Sequence, residues 1–311
     1  MPLHPTFQAM VEAAANTPPS HTMTIEEVRL ANIALIPNLG APEPVARTED
    51  CEISGPAGPI PVRIYTPDGT GPFPILICLH GGGMVAGNKD VFDNVSRALT
   101  NRAGCISISV DYRLAPENKF PVPLEDCYAV LQWATNHGAA VGGDPARVAV
   151  LGESAGANLT AGLALLCRDR GGPKMLCQVL VNPLLDYTDR ETVSMREFGE
   201  GYGLSKKDIK YCVELYTSTD ADRVNSYALP MKATNLSNLP PALVLTSEYD
   251  PLRDEGEIYA DKLREAGVPT IARRYDGVLH GFFIMTTLTE PSNQAIEETS
   301  ATLRTVFETR K

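Results

Sequence analysis

With 311 residues, 43% of them hydrophobic, the chain can bury a large core as one domain with a modest appendage, or at most two domains. Its 27 Lys and Arg against 38 Asp and Glu leave a formal charge of −11, which argues against nucleic acid and anionic membrane surfaces as partners, since both would repel it. No apolar stretch is long enough to span a bilayer and no basic segment leads into an apolar block near residue 1, so the expectation is a soluble, cytoplasmic protein.

In chain order, Phe7, Met10, Val11 and Ala14 recur at helical spacing, and Thr24-x-x-Glu27 then reads as a capping box, with Met23 and Val28 placed as its hydrophobic staple. Strand-like segments follow at 51–54, 61–66, 74–80, 105–110, 147–151, 177–181, 242–246 and 270–275. The first two and the last alternate, whereas most of the middle ones are almost continuously apolar, which predicts a mixed sheet whose parallel centre is covered on both faces. Helical patterns at 124–136 and 155–167 fall between strands and make the class α/β. Residues 184–240 are too many for an αβ connection of about 2–6 residues plus a helix. This insertion holds a helix of its own, started by Leu204 and Ser205-x-x-Asp208 and faced by Ile209, Cys212, Val213 and Tyr216. Together with residues 1–48 it is expected to be a helical cap over a pocket at the carboxyl ends of the strands, the plainer alternative being extra packing helices. Seven cysteines, an odd number without C-x-x-C pairing, fit buried free thiols in a reducing compartment better than disulfides or a zinc site.

The segment Gly152-Glu153-Ser154-Ala155-Gly156 reads G-x-S-x-G directly after the apolar run 148–151. A strand turning sharply into a helix through such a serine holds its hydroxyl exposed and strained, and any side chain at Gly152 or Gly156 would collide with that turn. A serine hydroxyl needs a neighbouring base, itself oriented by a third group, and in folds with this elbow acid and histidine follow the serine in the chain. Of the five histidines (4, 21, 80, 137 and 280) only His280 lies after Ser154; it is expected to follow the eighth strand through a turn at Asp276-Gly277. Asp250, just beyond the apolar run 242–245, is the favoured acid, with Glu248 and Asp254 as competitors and Asp276 too close in sequence to His280.

An oxyanion site needs backbone N–H donors. Ala155 offers one, and the loop His80-Gly81-Gly82-Gly83 the others, His80 itself being structural. Residues 81–86 also match G-x-G-x-x-A, with Asp111 closing a later strand as a dinucleotide-binding unit requires. Asn88-Lys89-Asp90 interrupts where the helix should have begun, and that reading leaves the Ser154 elbow unexplained.

His80-Gly81-Gly82-Gly83, the run 111–117 (DYRLAPE), Gly152 to Gly156, the run 250–256 (DPLRDEG) and His280-Gly281-Phe282 together resemble the hormone-sensitive-lipase-like family of bacterial α/β-hydrolase esterases, and the resemblance covers nearly the whole chain. It implies an α/β-hydrolase fold with a helical cap, Ser154, Asp250 and His280 as triad, and Gly81, Gly82 and Ala155 as oxyanion hole. It further implies hydrolysis of short to medium acyl esters without a cofactor, often by homodimers; no metal site is expected. The family more often has Asp where Glu153 stands, and Ser-Pro-Leu where Ser226-Tyr227-Ala228-Leu229 stands. An amidase or other acyl hydrolase with the same triad, or a non-catalytic small-molecule receptor like the gibberellin receptors, are the alternatives; those receptors lack the working histidine. Phe198, Tyr202, Leu204 and Tyr211 are candidates to line the pocket.

Overall fold

The computed structural model describes all residues except 16, 187–190, 310 and 311, so a short piece of the predicted 184–240 insertion lies outside the described residues. Two strands, β1 (Arg47–Gly55) and β2 (Gly58–Thr66), open the sheet as an antiparallel hairpin, with Gly55 opposite Gly58 at its turn. Next come β3 (Phe73–Leu79), β4 (Ile106–Val110), β5 (Gly143–Glu153), β6 (Gln178–Val181), β7 (Ala242–Tyr249) and β8 (Thr270–Leu279). Their spatial order is β1-β2-β4-β3-β5-β6-β7-β8, with β2 antiparallel to both its neighbours and every pair from β4 to β8 parallel. All eight expected strands are present, the sequence having cut most of them short.

The central strands read as unbroken apolar runs because both faces are buried. Ile75, Ile77, Val148, Val150 and Val244 point into one core, while Leu76, Cys78, Ala149, Leu151 and Leu243 point into the other. The first core is closed by α4 (Val122–His137), α5 (Ala155–Arg170) and α9 (Arg253–Glu265), the second by α3 (Asp93–Ala103) and α10 (Glu290–Glu308). No helix follows the glycine loop until α3 at Asp93, and Asp111 accepts from the backbone N–H and the Nζ of Lys89. The dinucleotide-binding reading therefore fails on geometry.

Outside the sheet, α1 (Pro5–Ala14) buries only Phe7 of its predicted stripe, and Met10 is exposed. The helix packs through Phe7 and Val11 against the second core, so half of its predicted stripe forms the buried face. α2 (Ile25–Ile33) begins at the expected capping box, with Thr24 Oγ1 accepting from Glu27 N–H and Glu27 accepting from Thr24 N–H. The long insertion carries α6 (Val193–Phe198), α7 (Lys206–Tyr216) and α8 (Asp220–Arg223). α7 also starts with a capping box, Ser205 and Asp208, and buries Ile209, Val213 and Tyr216 as its spacing predicts. A third apolar cluster joins α7 to Met84, Val85, Ala86, Ala155, Leu184 and Leu252, with Ile25 and Val28 of α2 packed against it. These residues sit just beyond the carboxyl ends of β3, β5, β6 and β7. All seven cysteines are free; five are buried, and Cys51 and Cys212 are half-buried.

Candidate active site

The elbow forms where β5 ends at Glu153 and α5 begins at Ala155, with Ser154 between them at φ 56°, a left-handed backbone rare for a residue with a side chain. The flanking glycines are steric necessities. A Cβ on Gly152 would run into the carbonyl of Gly156, and one on Gly156 into the carbonyl of Leu79 on the neighbouring strand. The turn thereby brings the start of α5 against the end of β3 and leaves the Ser154 hydroxyl facing a cavity.

Ser154 Oγ is 2.9 Å from His280 Nε2, and His280 Nδ1 is 2.8 Å from Asp250 Oδ2. The aspartate can only accept, so the imidazole carries its proton on Nδ1, and Nε2 is free to accept from the serine. Asp250 is fully buried and takes two further donors, Asn182 Nδ2 at 2.6 Å and the backbone N–H of Leu252 at 2.9 Å. Burial works against a charged His280, but the field and hydrogen bond of Asp250 and the field of Glu153 outweigh it and hold its pKa above the ordinary histidine value. The competing carboxylates are engaged elsewhere. Glu248 accepts from the Gly277 N–H, and Asp254 accepts from the Ser194 N–H and pairs with Arg253.

Asp276 and Gly277 do not form a turn, contrary to the sequence expectation. They lie within β8, where residues 276–278 stand opposite the single residue Glu248 in a bulge. Gly277, at φ +70°, supplies the left-handed conformation that made the pair read as a turn, and the Glu248 carboxylate holds its N–H. The bulge delivers His280 one residue past the strand end.

Gly81, Gly82 and Gly83 line the same cavity as Ser154 and His280. Gly82 has φ +116°, and a Cβ there would strike the Ala86 carbonyl, so the loop can fold back only with glycine at this place. Ala155 is the first residue of α5, so its N–H has no intrahelical acceptor. His80 stays out of the cavity. Its ring stacks on Tyr112 with centroids 4.2 Å apart, and its Nδ1–H donates to the Gly81 carbonyl at 2.7 Å, which fixes the glycine loop from below.

The cavity measures about 390 Å³, and its walls are chiefly apolar: Val28 and Leu35 from the N-terminal segment, Val85 after the glycines, Leu184, Leu204 and Ile209 from the insertion. Of the four predicted lining residues only Leu204 is there. Phe198 and Tyr202 pack instead on Tyr249, with centroids 5.2 and 5.4 Å from it, and the Tyr211 hydroxyl donates to the Met23 carbonyl. The sequence also gave no hint of Asn182, an unremarkable polar residue until β6 is seen to end beside β7. Among the described residues no group of three or more His, Cys, Asp or Glu side chains is arranged to hold a metal ion, and no helix is long and apolar enough to cross a membrane.

Comparison with known proteins gives the same reading of the fold. The family described as alpha/beta hydrolase fold matches residues 76–284. An arylesterase of Saccharolobus solfataricus is 38% identical over 91% of this chain and 92% of its own, and the carboxylic ester hydrolase LipN of Mycobacterium tuberculosis is 41% identical over 82% and 69%. The structure of a hyperthermophilic esterase from the archaeon Pyrobaculum calidifontis superposes with a TM-score of 0.93 at 39% identity, covering 98% of this chain and 99% of that one. With these matches spanning both the sheet and the residues around Ser154, the chain belongs to the hormone-sensitive-lipase-like family of α/β-hydrolase esterases.

Proposed function

We propose that the protein is a serine carboxylesterase that hydrolyses short- to medium-chain acyl esters through an acyl-enzyme on Ser154. The observation that carries this reading is the continuous chain from Ser154 Oγ through both nitrogens of His280 to Asp250. Ser154 Oγ attacks the ester carbonyl as its proton passes to His280 Nε2, and Asp250 stabilises the imidazolium. The developing oxyanion is taken by the N–H groups of Gly81, Gly82 and Ala155. His280 then gives its proton to the leaving alkoxide. A water, deprotonated by the same nitrogen, cleaves the acyl-enzyme and restores the serine. The largely apolar cavity favours neutral substrates, and the segments 1–48 and 184–240 act as the cap that sets acyl length.

A fluorophosphonate probe is expected to label Ser154, and Ser154→Ala to lose labelling together with at least about 10³-fold of p-nitrophenyl butyrate turnover. Turnover by that variant near the wild-type rate would sink the assignment. Acyl chains of two to six carbons should be cleaved fastest, and amides of matched structure far more slowly. The reading also includes a cytoplasmic location, supported by the seven free thiols, and a homodimer, supported by the open edge of β8, where Ile271 is 49% exposed. Light scattering that returned a monomer mass at micromolar concentration would remove the dimer.

A further inference from the structure

Glu153 ends β5 immediately before the elbow serine, and the mechanism above gives it nothing to do. Its side chain is only 5% exposed and lines the cavity with Ser154 and His280, and among the described residues its carboxyl has no hydrogen-bond partner. A carboxyl so far from bulk water, with only the cavity beside it and no protein donor, is costly to keep charged, and an amide or apolar side chain of the same length would be cheaper there. Its surroundings account for its presence. One oxygen, Oε2, lies so close to Gly81 that a methyl group there would overlap it, and the other, Oε1, is 4.0 Å from where a Cβ on Gly281 would stand. The carboxyl is thus wedged between the loop that carries the glycine N–H donors and the loop that carries His280. The titratable groups whose fields reach it are His280 and Asp250; those that reach His280 are Asp250 and Glu153, and Tyr112, on the other side, also feels Glu153.

We infer that Glu153 is a positioning residue: its carboxyl sets the spacing between the Gly81–Gly83 loop and His280, and adds a second negative field to that of Asp250 on the imidazolium formed during the reaction. This rests on the roles given above to Ser154, His280 and Asp250. Burial raises the Glu153 pKa and the positive charge of His280 draws it back down, so the carboxylate is favoured just as the imidazole takes up the serine proton.

The sign of the effect is fixed. Because Glu153 is one of the groups holding His280 above the ordinary histidine value of about 6.5, removing its charge must lower His280. The acid limb of the wild-type kcat/KM profile is therefore expected to have its midpoint above about 6.5. In Glu153→Gln the midpoint is expected to fall by about 0.5–1 pH unit, with kcat lowered about 3–10-fold and KM within about twofold. Glu153→Asp keeps the charge and should hold the midpoint within about 0.3 unit. Imidazole NMR titration of His280 in Ser154→Ala protein, with and without Glu153→Gln, reads the same shift without turnover, so failure of the esterase assignment leaves this result standing. Should the Gln variant not fold, Glu153→Ser in that background gives the same titration. Midpoints that do not move would overturn the inference, even if kcat fell, because packing alone would produce that pattern.

Discussion

Asn182 shows how much of the candidate site depends on a residue outside the cavity wall. It follows β6 with φ 46°, and its amide donates both to Asp250 Oδ2 and to Ser247 Oγ, which in turn donates to the Leu279 carbonyl next to His280. One side chain therefore ties together the ends of three strands. Asn182→Ala leaves a buried carboxylate short of a donor, a loss of about 1–3 kcal/mol. Steady-state kinetics should show kcat/KM reduced about 10–100-fold with KM little changed, and thermal melting should show a lower Tm. His280 was legible in the sequence because it alone follows Ser154, and Asp250 because it stands at a strand end. Asn182 was not, since an asparagine after a strand has many uses and only the sheet order reveals its neighbour. The Asp276-Gly277 pair misled for a related reason: a glycine at positive φ serves a bulge as well as a turn, and local preference cannot tell them apart.

At the level of elements, the N-terminal helix α2 is fastened to the site by Arg29 as well as by the packing of Ile25 and Val28. Arg29 donates through Nε to the Val85 carbonyl and through Nη2 to the Ala115 carbonyl, and it grips Glu117 with both terminal nitrogens. Glu117 is more than half exposed, so that ion pair contributes at most about 1 kcal/mol, whereas the two charged hydrogen bonds to part-buried carbonyls contribute more, about 1.5–3 kcal/mol each. Arg29→Ala is accordingly expected to raise KM for p-nitrophenyl butyrate about 3–10-fold while kcat stays within about threefold, and Glu117→Ala to change either by less than about twofold. Comparable effects from both variants would show that the surface pair, not the carbonyl clamp, holds the helix. Both helix starts at Thr24 and Ser205 were readable because a capping box is a local device. Which aromatic side chains of the insertion face the cavity was not readable, because apolar spacing names a face without naming what covers it; the packing of Phe198 and Tyr202 on Tyr249 follows from that gap.

Across the whole molecule, the sheet was the most legible feature, because burial on two faces writes itself as continuous apolar runs and the alternating outer strands mark the edges. The cysteines are part of the same pattern. Burial pushes the thiols of Cys78, Cys167 and Cys177 up to about 12, and Cys105 and Cys127 higher still, so these buried side chains behave as small hydrophobes. Burial also pushes the half-buried Cys212 up to about 12, so native protein is expected to react promptly with Ellman's reagent at Cys51 alone, and at all seven thiols after denaturation, with a Tm indifferent to reductant. Fewer than seven thiols in the denatured, unreduced protein would reveal a disulfide and count against a reducing home compartment.

Two carboxyls packed around His280 also bear on how the reaction ends. Hydrolysis converts a neutral ester into an acid that ionises as it forms, beside Glu153 and Asp250 and within a protein of net charge −11. Of all the species that pass through the cavity, the carboxylate product is the one its charges oppose. That repulsion favours release of the acid and works against product inhibition and re-esterification.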